Sequence, residues 1–111
     1  MKLRLEEKSL RLRLSEAEVA HFAQTGRVAY TIAFGPAPGQ TLVYALEKLP
    51  ATDPATDVQV HYAAGALAVE VPAALAQEWT DTEKNGFSTQ ILVAEGRELR
   101  ILVEKDLDCR H

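Results

Sequence analysis

Cysteine is nearly absent: Cys109 is the only one among 111 residues. One thiol cannot close a disulfide within the chain, and it excludes a zinc site built from several cysteines. Apolar runs are short, and none approaches the roughly 20 residues that cross a bilayer as a helix. The opening segment alternates leucine with charge and lacks the continuous apolar stretch of a signal peptide. Aromatics make up 6% of the residues, with a single tryptophan, Trp79. Positive charge is in deficit, 12 Lys and Arg against 16 Asp and Glu, for a formal charge of −4. An acidic chain is repelled overall by nucleic acid and by anionic lipid. These absences point to a reduced, cytoplasmic, soluble protein, with no membrane partner and nucleic acid disfavoured.

What is present is an ordinary globular composition, 47% hydrophobic and 25% charged. The length suits one domain, so residues 1–111 are expected to form a single α+β domain. The charge is uneven. Residues 1–14 carry Lys2, Arg4, Lys8, Arg11 and Arg13 against Glu6 and Glu7. That end is basic and the remainder is strongly acidic.

Residues 2–6 and 10–14 each alternate apolar with charged side chains, the mark of a strand with one buried face. With Glu7, Lys8 and Ser9 between them they predict an antiparallel hairpin. Leu3, Leu5, Leu10, Leu12 and Leu14 then share one face, and Lys2, Arg4, Arg11 and Arg13 the other. Ser15 followed by Glu18 is a capping box, and Val19, Phe22 and Ala23 recur at helical spacing. The spacing predicts a helix over 15–25, stopped by Gly26.

Strands are expected over 27–34 and 41–47, on either side of the breaker 35–39. Residues 49–57, with Pro50 and Pro54, read as a loop. Val58, Val60 and Tyr62 alternate, and Gly65 turns the chain toward Leu67, Val69 and Val71, a second hairpin. Pro72 opens a short helix over 72–80 on which Leu75 and Trp79 point the same way. Residues 87–94 and 97–104 alternate again, with Leu99, Ile101 and Val103 on the inner side of the last strand. No internal repeat is evident. Connections this short favour antiparallel pairing. The expectation is therefore a mainly antiparallel, strongly curled sheet or open barrel with two short helices.

The segments Lys2–Leu5, Ser9–Val19, Thr25–Val28, Phe34–Gly35, Leu42–Leu46, Val71–Pro72, Trp79–Gly86 and Leu102–Asp106, together with Cys109, resemble a family of small uncharacterised bacterial proteins. The resemblance spans nearly the whole chain. That family is a domain of unknown function, so the resemblance implies a bacterial, cytoplasmic protein and no activity. Its members extend past the cysteine with an acidic, proline-containing tail; this chain stops at His111, so it either departs from that pattern or lacks the tail.

Candidate chemistry is sparse. Residues 35–41 echo a phosphate-binding loop, but the glycine spacing is short by one and Gln40 stands where lysine is required. Prolines there remove N–H donors, so the segment is a turn. Cys109 and His111 are weak metal candidates, since Cys and His ligate zinc or copper. The bland alternative, a solvated chain end, is favoured, and the same pair makes a poor nucleophile and base. No cofactor is expected. Glu78, Asp81 and Glu83 around Trp79 read as a wet helix end, and Trp79 as a core or interface anchor.

The arginine face is the strongest remaining signal. Arg4, Arg11 and Arg13, with Arg100 from the last strand, could bind an anion if the sheet made that face concave. The favoured alternative is that Glu70, Glu98 or Glu104 pairs with them. The leading functional expectation is a non-enzymatic interaction module that binds a protein, possibly a second copy, through a face or edge. The alternative is an anionic small-molecule (phosphate-type) binding protein, extending to phosphate-ester hydrolysis if carboxylates hold a metal nearby. Binding of single-stranded nucleic acid ranks last, because leucines stand where stacking aromatics would be needed.

Overall fold

The computed structural model describes residues 1–106. The alternating segments form β1 (Lys2–Glu6) and β2 (Ser9–Leu14), followed by α1 (Glu16–Thr25), β3 (Arg27–Ala33) and β4 (Thr41–Lys48). Then come β5 (Gln59–Ala63), β6 (Ala66–Val71), α2 (Ala73–Asp81), β7 (Gly86–Ala94) and β8 (Arg97–Lys105). A short 3-10 turn over Pro38–Gln40 leads into β4.

The strands make two four-stranded sheets, β1-β2-β8-β7 and β3-β4-β6-β5. This corrects the expected curled sheet or open barrel: there are two separate sheets, neither closed nor strongly curled. Nor is the pairing mainly antiparallel throughout, because each sheet is mixed. The hairpins are antiparallel, but β2 pairs parallel with β8 and β4 parallel with β6. Short connections do exclude parallel pairing between consecutive strands. They say nothing about strands far apart in sequence, and both parallel junctions join such strands.

The element order also corrects the expectation that no repeat exists. A hairpin, a helix and a second hairpin occur twice: β1-β2-α1-β3-β4, then β5-β6-α2-β7-β8. Lys2 answers to Gln59 and Leu14 to Val71, the same 57-residue displacement. The parallel registers obey it too, since Leu10 pairs with Ile101 as Tyr44 pairs with Leu67, and Leu12 with Val103 as Leu46 with Val69. So do the bonds that close the sheets: Arg100 N–H donates to Lys8 C=O as Val43 N–H donates to Gly65 C=O. Through β7 the displacement widens to 59, because Val28 opposes Leu46 where Phe87 opposes Val103.

The repeated positions build one core. Leu10, Leu12, Leu14, Ile101 and Val103 from the first sheet meet Tyr44, Leu46, Val69 and Val71 from the second, with Val19, Phe22, Ala76 and Trp79 from the helices. Leu5 is the exception on the leucine face, 58% exposed, and its repeat mate Tyr62 is exposed as well. Trp79 is fully buried; its ring meets Phe22 edge-on at 5.9 Å and Phe87 at 5.6 Å. Its indole N–H donates to the Asn85 carbonyl, so no polar atom of the ring is left unpaired.

Ser15 caps α1 as expected, with its hydroxyl accepting from Glu18 N–H and the Glu18 carboxylate accepting from Ser15 N–H. Gly26 ends the helix at φ 77°, a left-handed conformation that favours glycine. The second helix runs from Ala73 to Asp81, with Pro72 as its cap, and ends before Asn85.

Candidate functional site

The leucine-arginine alternation places its charges as expected. β1 and β2 pair with Arg4 opposite Arg11, and β2 lies beside β8 with Arg13 opposite Glu104 and Ser9 opposite Arg100. Arg4, Arg11, Arg13 and Arg100 therefore share the outer face of the first sheet.

Three of the four have carboxylate partners. Arg4 pairs with Glu6 at 3.1 Å, and Arg11 and Arg13 both approach Glu104, at 3.6 and 3.8 Å. Arg13 also reaches Asp106 at 3.9 Å, and Lys2 bonds the same carboxylate at 3.3 Å. Of Glu70, Glu98 and Glu104, only Glu104 pairs with this face among the described residues. Arg100 has no ion-pair partner among the described residues. Two shallow depressions on this face adjoin at Leu102. A depression of about 120 Å³ is lined by Arg4, Glu6, Ser9 and Arg11. Another, of about 290 Å³, takes in Arg100 with Asn85, Ser88 and Glu104. Cys109 and His111 lie outside the described residues. Among the described residues no group of three His, Cys, Asp or Glu side chains is close enough to hold a metal ion. Among the described residues no helix is long and apolar enough to cross a membrane.

One carboxylate with several partners is marked in the sequence only as a cap. Glu18 accepts from the Met1 ammonium, the Tyr30 hydroxyl and Ser15 N–H. Burial works against its charge, but these donors outweigh it and hold the carboxyl at about 2, below its ordinary 4.5. The same contact pushes the Tyr30 hydroxyl up, first through its hydrogen bond to Glu18. Tyr44 donates to the Met1 carbonyl at 2.8 Å, so β4 and the start of the chain are tied together across the two sheets. A capping box foretells the Ser15 contact; nothing in the spacing foretells Tyr30.

Each sheet leaves two edge strands, and they differ. On β1, Lys2, Arg4 and Glu6 put charge along five residues, and β5 is equally short. β7 runs for nine residues, but its register shifts between Leu92 and Ala94, an irregularity that interrupts the edge. β3 has none of these guards. After Arg27 it reads Val-Ala-Tyr-Thr-Ile-Ala without charge, proline or bulge, in unbroken register with β4. The bonds from Lys48 N–H to Gly26 C=O and from Phe34 N–H to Gln40 C=O fix the phase of that ladder. Even-numbered residues of β3 bond to β4, so the N–H and C=O of Ala29, Thr31 and Ala33 point outward. They have no partner among the described residues. Beside them Tyr30 is 42%, Ile32 37% and Phe34 72% exposed. Periodicity revealed this strand, but nothing in it distinguishes an edge from a central strand.

No curated protein and no solved structure matches the chain. One family model does, over residues 1–111, so the resemblance read from the sequence holds at the level of the family. The chain belongs to that family, described as a family of unknown function (DUF7009).

Proposed function

We propose that the protein is a non-enzymatic interaction module that receives an extended segment of another protein chain along β3. The observation that carries this reading is the contrast among the four edges. Unpaired backbone groups on an edge recruit strands, and proteins ordinarily blunt them with charge, brevity or bulges. Three edges here are blunted and β3 is left open, with apolar side chains alongside it. Strand addition takes affinity from the main-chain bonds and specificity from the alternating side chains.

The anionic-ligand reading on Arg4, Arg11, Arg13 and Arg100 is weaker. Carboxylates already pair with three of the four. Site-specific photocrosslinking in living cells tests the favoured reading. A photoreactive residue at Thr31 is expected to trap a protein, while the same group at Lys2 on the guarded β1 edge traps none. No adduct at Thr31, or equal adducts at both positions, would overturn it.

A further inference from the structure

We propose that the segment received along β3 is the β3 strand of a second copy of this chain, paired antiparallel about a twofold axis at Thr31. The inference rests on the edge-binding reading above and identifies its partner.

The argument starts from the ladder phase. Outward N–H and C=O groups belong to the odd residues, so a second β3 must present its own odd residues to bond them. An antiparallel pair related by a twofold axis is isologous: if residue i meets j, then j meets i. A twofold at any residue of the strand meets both conditions, and Tyr30 and Thr31, at its middle, keep the most of it paired. A centre at Tyr30 sets Ile32 against Val28 but leaves Phe34, the most exposed apolar side chain of the segment, facing Gly26. A centre at Thr31 sets Tyr30 against Ile32 and Phe34 against Val28, each pair formed twice. These are aromatic and β-branched cross-strand pairs, the kind that stabilises a sheet.

The same register bonds Thr31 to Thr31 and Ala29 to Ala33, so the outward groups of all three residues find partners. Arg27 faces Gly35 of the other copy, and no like charges oppose one another. Arg27 is in any case held to Glu47 at 2.9 Å within its own sheet. The strand is thus complementary to itself in hydrogen bonds and in apolar side chains, and no charge opposes the pairing. That self-complementarity selects a second copy over an unrelated strand. The two β3-β4-β6-β5 sheets would join into one continuous sheet.

Sedimentation of the full chain over a range of concentrations tests this. Wild type is expected at the mass of two chains, falling to one on dilution. Thr31→Pro removes an outward donor without touching any bond to β4, and edge strands tolerate proline there. Thr31→Glu sets a carboxylate against its own copy. Both variants are expected at the mass of one chain, with the circular dichroism of wild type; should the proline variant fold poorly, the glutamate variant stands alone. In a Cys109→Ser background, Thr31→Cys is expected to crosslink on oxidation. Residues paired across the axis would lie about 5.5 Å apart at Cα, within disulfide reach. Ala29→Cys, which faces Ala33, should not crosslink. Wild type at the mass of one chain throughout, or two-chain mass persisting in the variants, would overturn the second copy. Crosslinking at residue 29 in place of 31 would overturn the register. A Thr31 photoadduct containing a different protein would reject self-pairing while leaving the edge reading standing, and the absence of any adduct would reject both.

Discussion

Glu18 shows how much a single side chain can hold in a small fold. Its carboxylate joins the Met1 ammonium, the cap of α1 and the Tyr30 hydroxyl of β3. Because its folded pKa is depressed to about 2 from 4.5, its contribution to stability is full above the upper value. That contribution is lost as pH falls through the lower one. The melting-temperature difference between wild type and Glu18→Gln should therefore be largest near neutrality and shrink across that acidic window; a constant difference would show that the charge plays no part. Trp79 acts through volume instead. Fully buried between Phe22 and Phe87, it should cost about 3–5 kcal/mol on replacement by alanine. Denaturant unfolding checks this value. Arg11 sits at the other extreme, in a loose pair on a wet face. Arg11→Ala should change stability by less than about 1 kcal/mol, and phosphate should protect variant and wild type equally. Phosphate protection that disappears with Arg11 would revive the anion site.

Secondary-structure elements differ in how far local chemistry specifies them. In α1 the capping box, the apolar stripe and Gly26 all agree, and the helix runs from Glu16 to Thr25 as the pattern dictates. Ser15→Ala should cost about 1 kcal/mol, since Glu18 N–H loses its acceptor and the reciprocal bond is weakened. An unchanged denaturation midpoint would show the cap to be dispensable. In α2 no side chain caps the start, and Pro72 only pre-sets the backbone. That helix owes its position to Ala76 and Trp79, buried at the repeat positions of Val19 and Phe22. The β1-β2 hairpin was legible for the same reason as α1, because a period of two admits one buried face.

At the scale of the molecule, the halves share an inner face and differ on the outer ones. Leu12 and Val69, Leu14 and Val71, and Phe22 and Trp79 are equivalent and buried. On the outer faces Arg11 answers to Ala68 and Arg100 to Val43, so the arginine face has no counterpart on the second sheet. The repeat escaped the sequence because packing requires apolar bulk at these positions rather than identity. Pairing of two copies along β3 carries its own thermodynamic mark. A partner that binds only the folded state raises the melting temperature by mass action. The melting temperature of wild type should rise with protein concentration, and that of Thr31→Glu should not; equal behaviour would argue against the paired state.

Periodicity, caps and turn residues act within a few positions of one another, and those the sequence determined by itself: the β1-β2 hairpin, both helices, most of the buried rows and the shared face of Arg4, Arg11 and Arg13. The tertiary structure alone decided which strands far apart in the chain lie side by side. It set β2 beside β8 and β4 beside β6, divided the strands into two sheets, placed Glu104 beside Arg11 and Arg13, and left β3 at an open edge. The physical reason is that alternation states which way a side chain faces, whereas the neighbour of a strand is fixed by packing summed over the whole core. An edge strand and a central strand with the same alternation are identical until that neighbour is known.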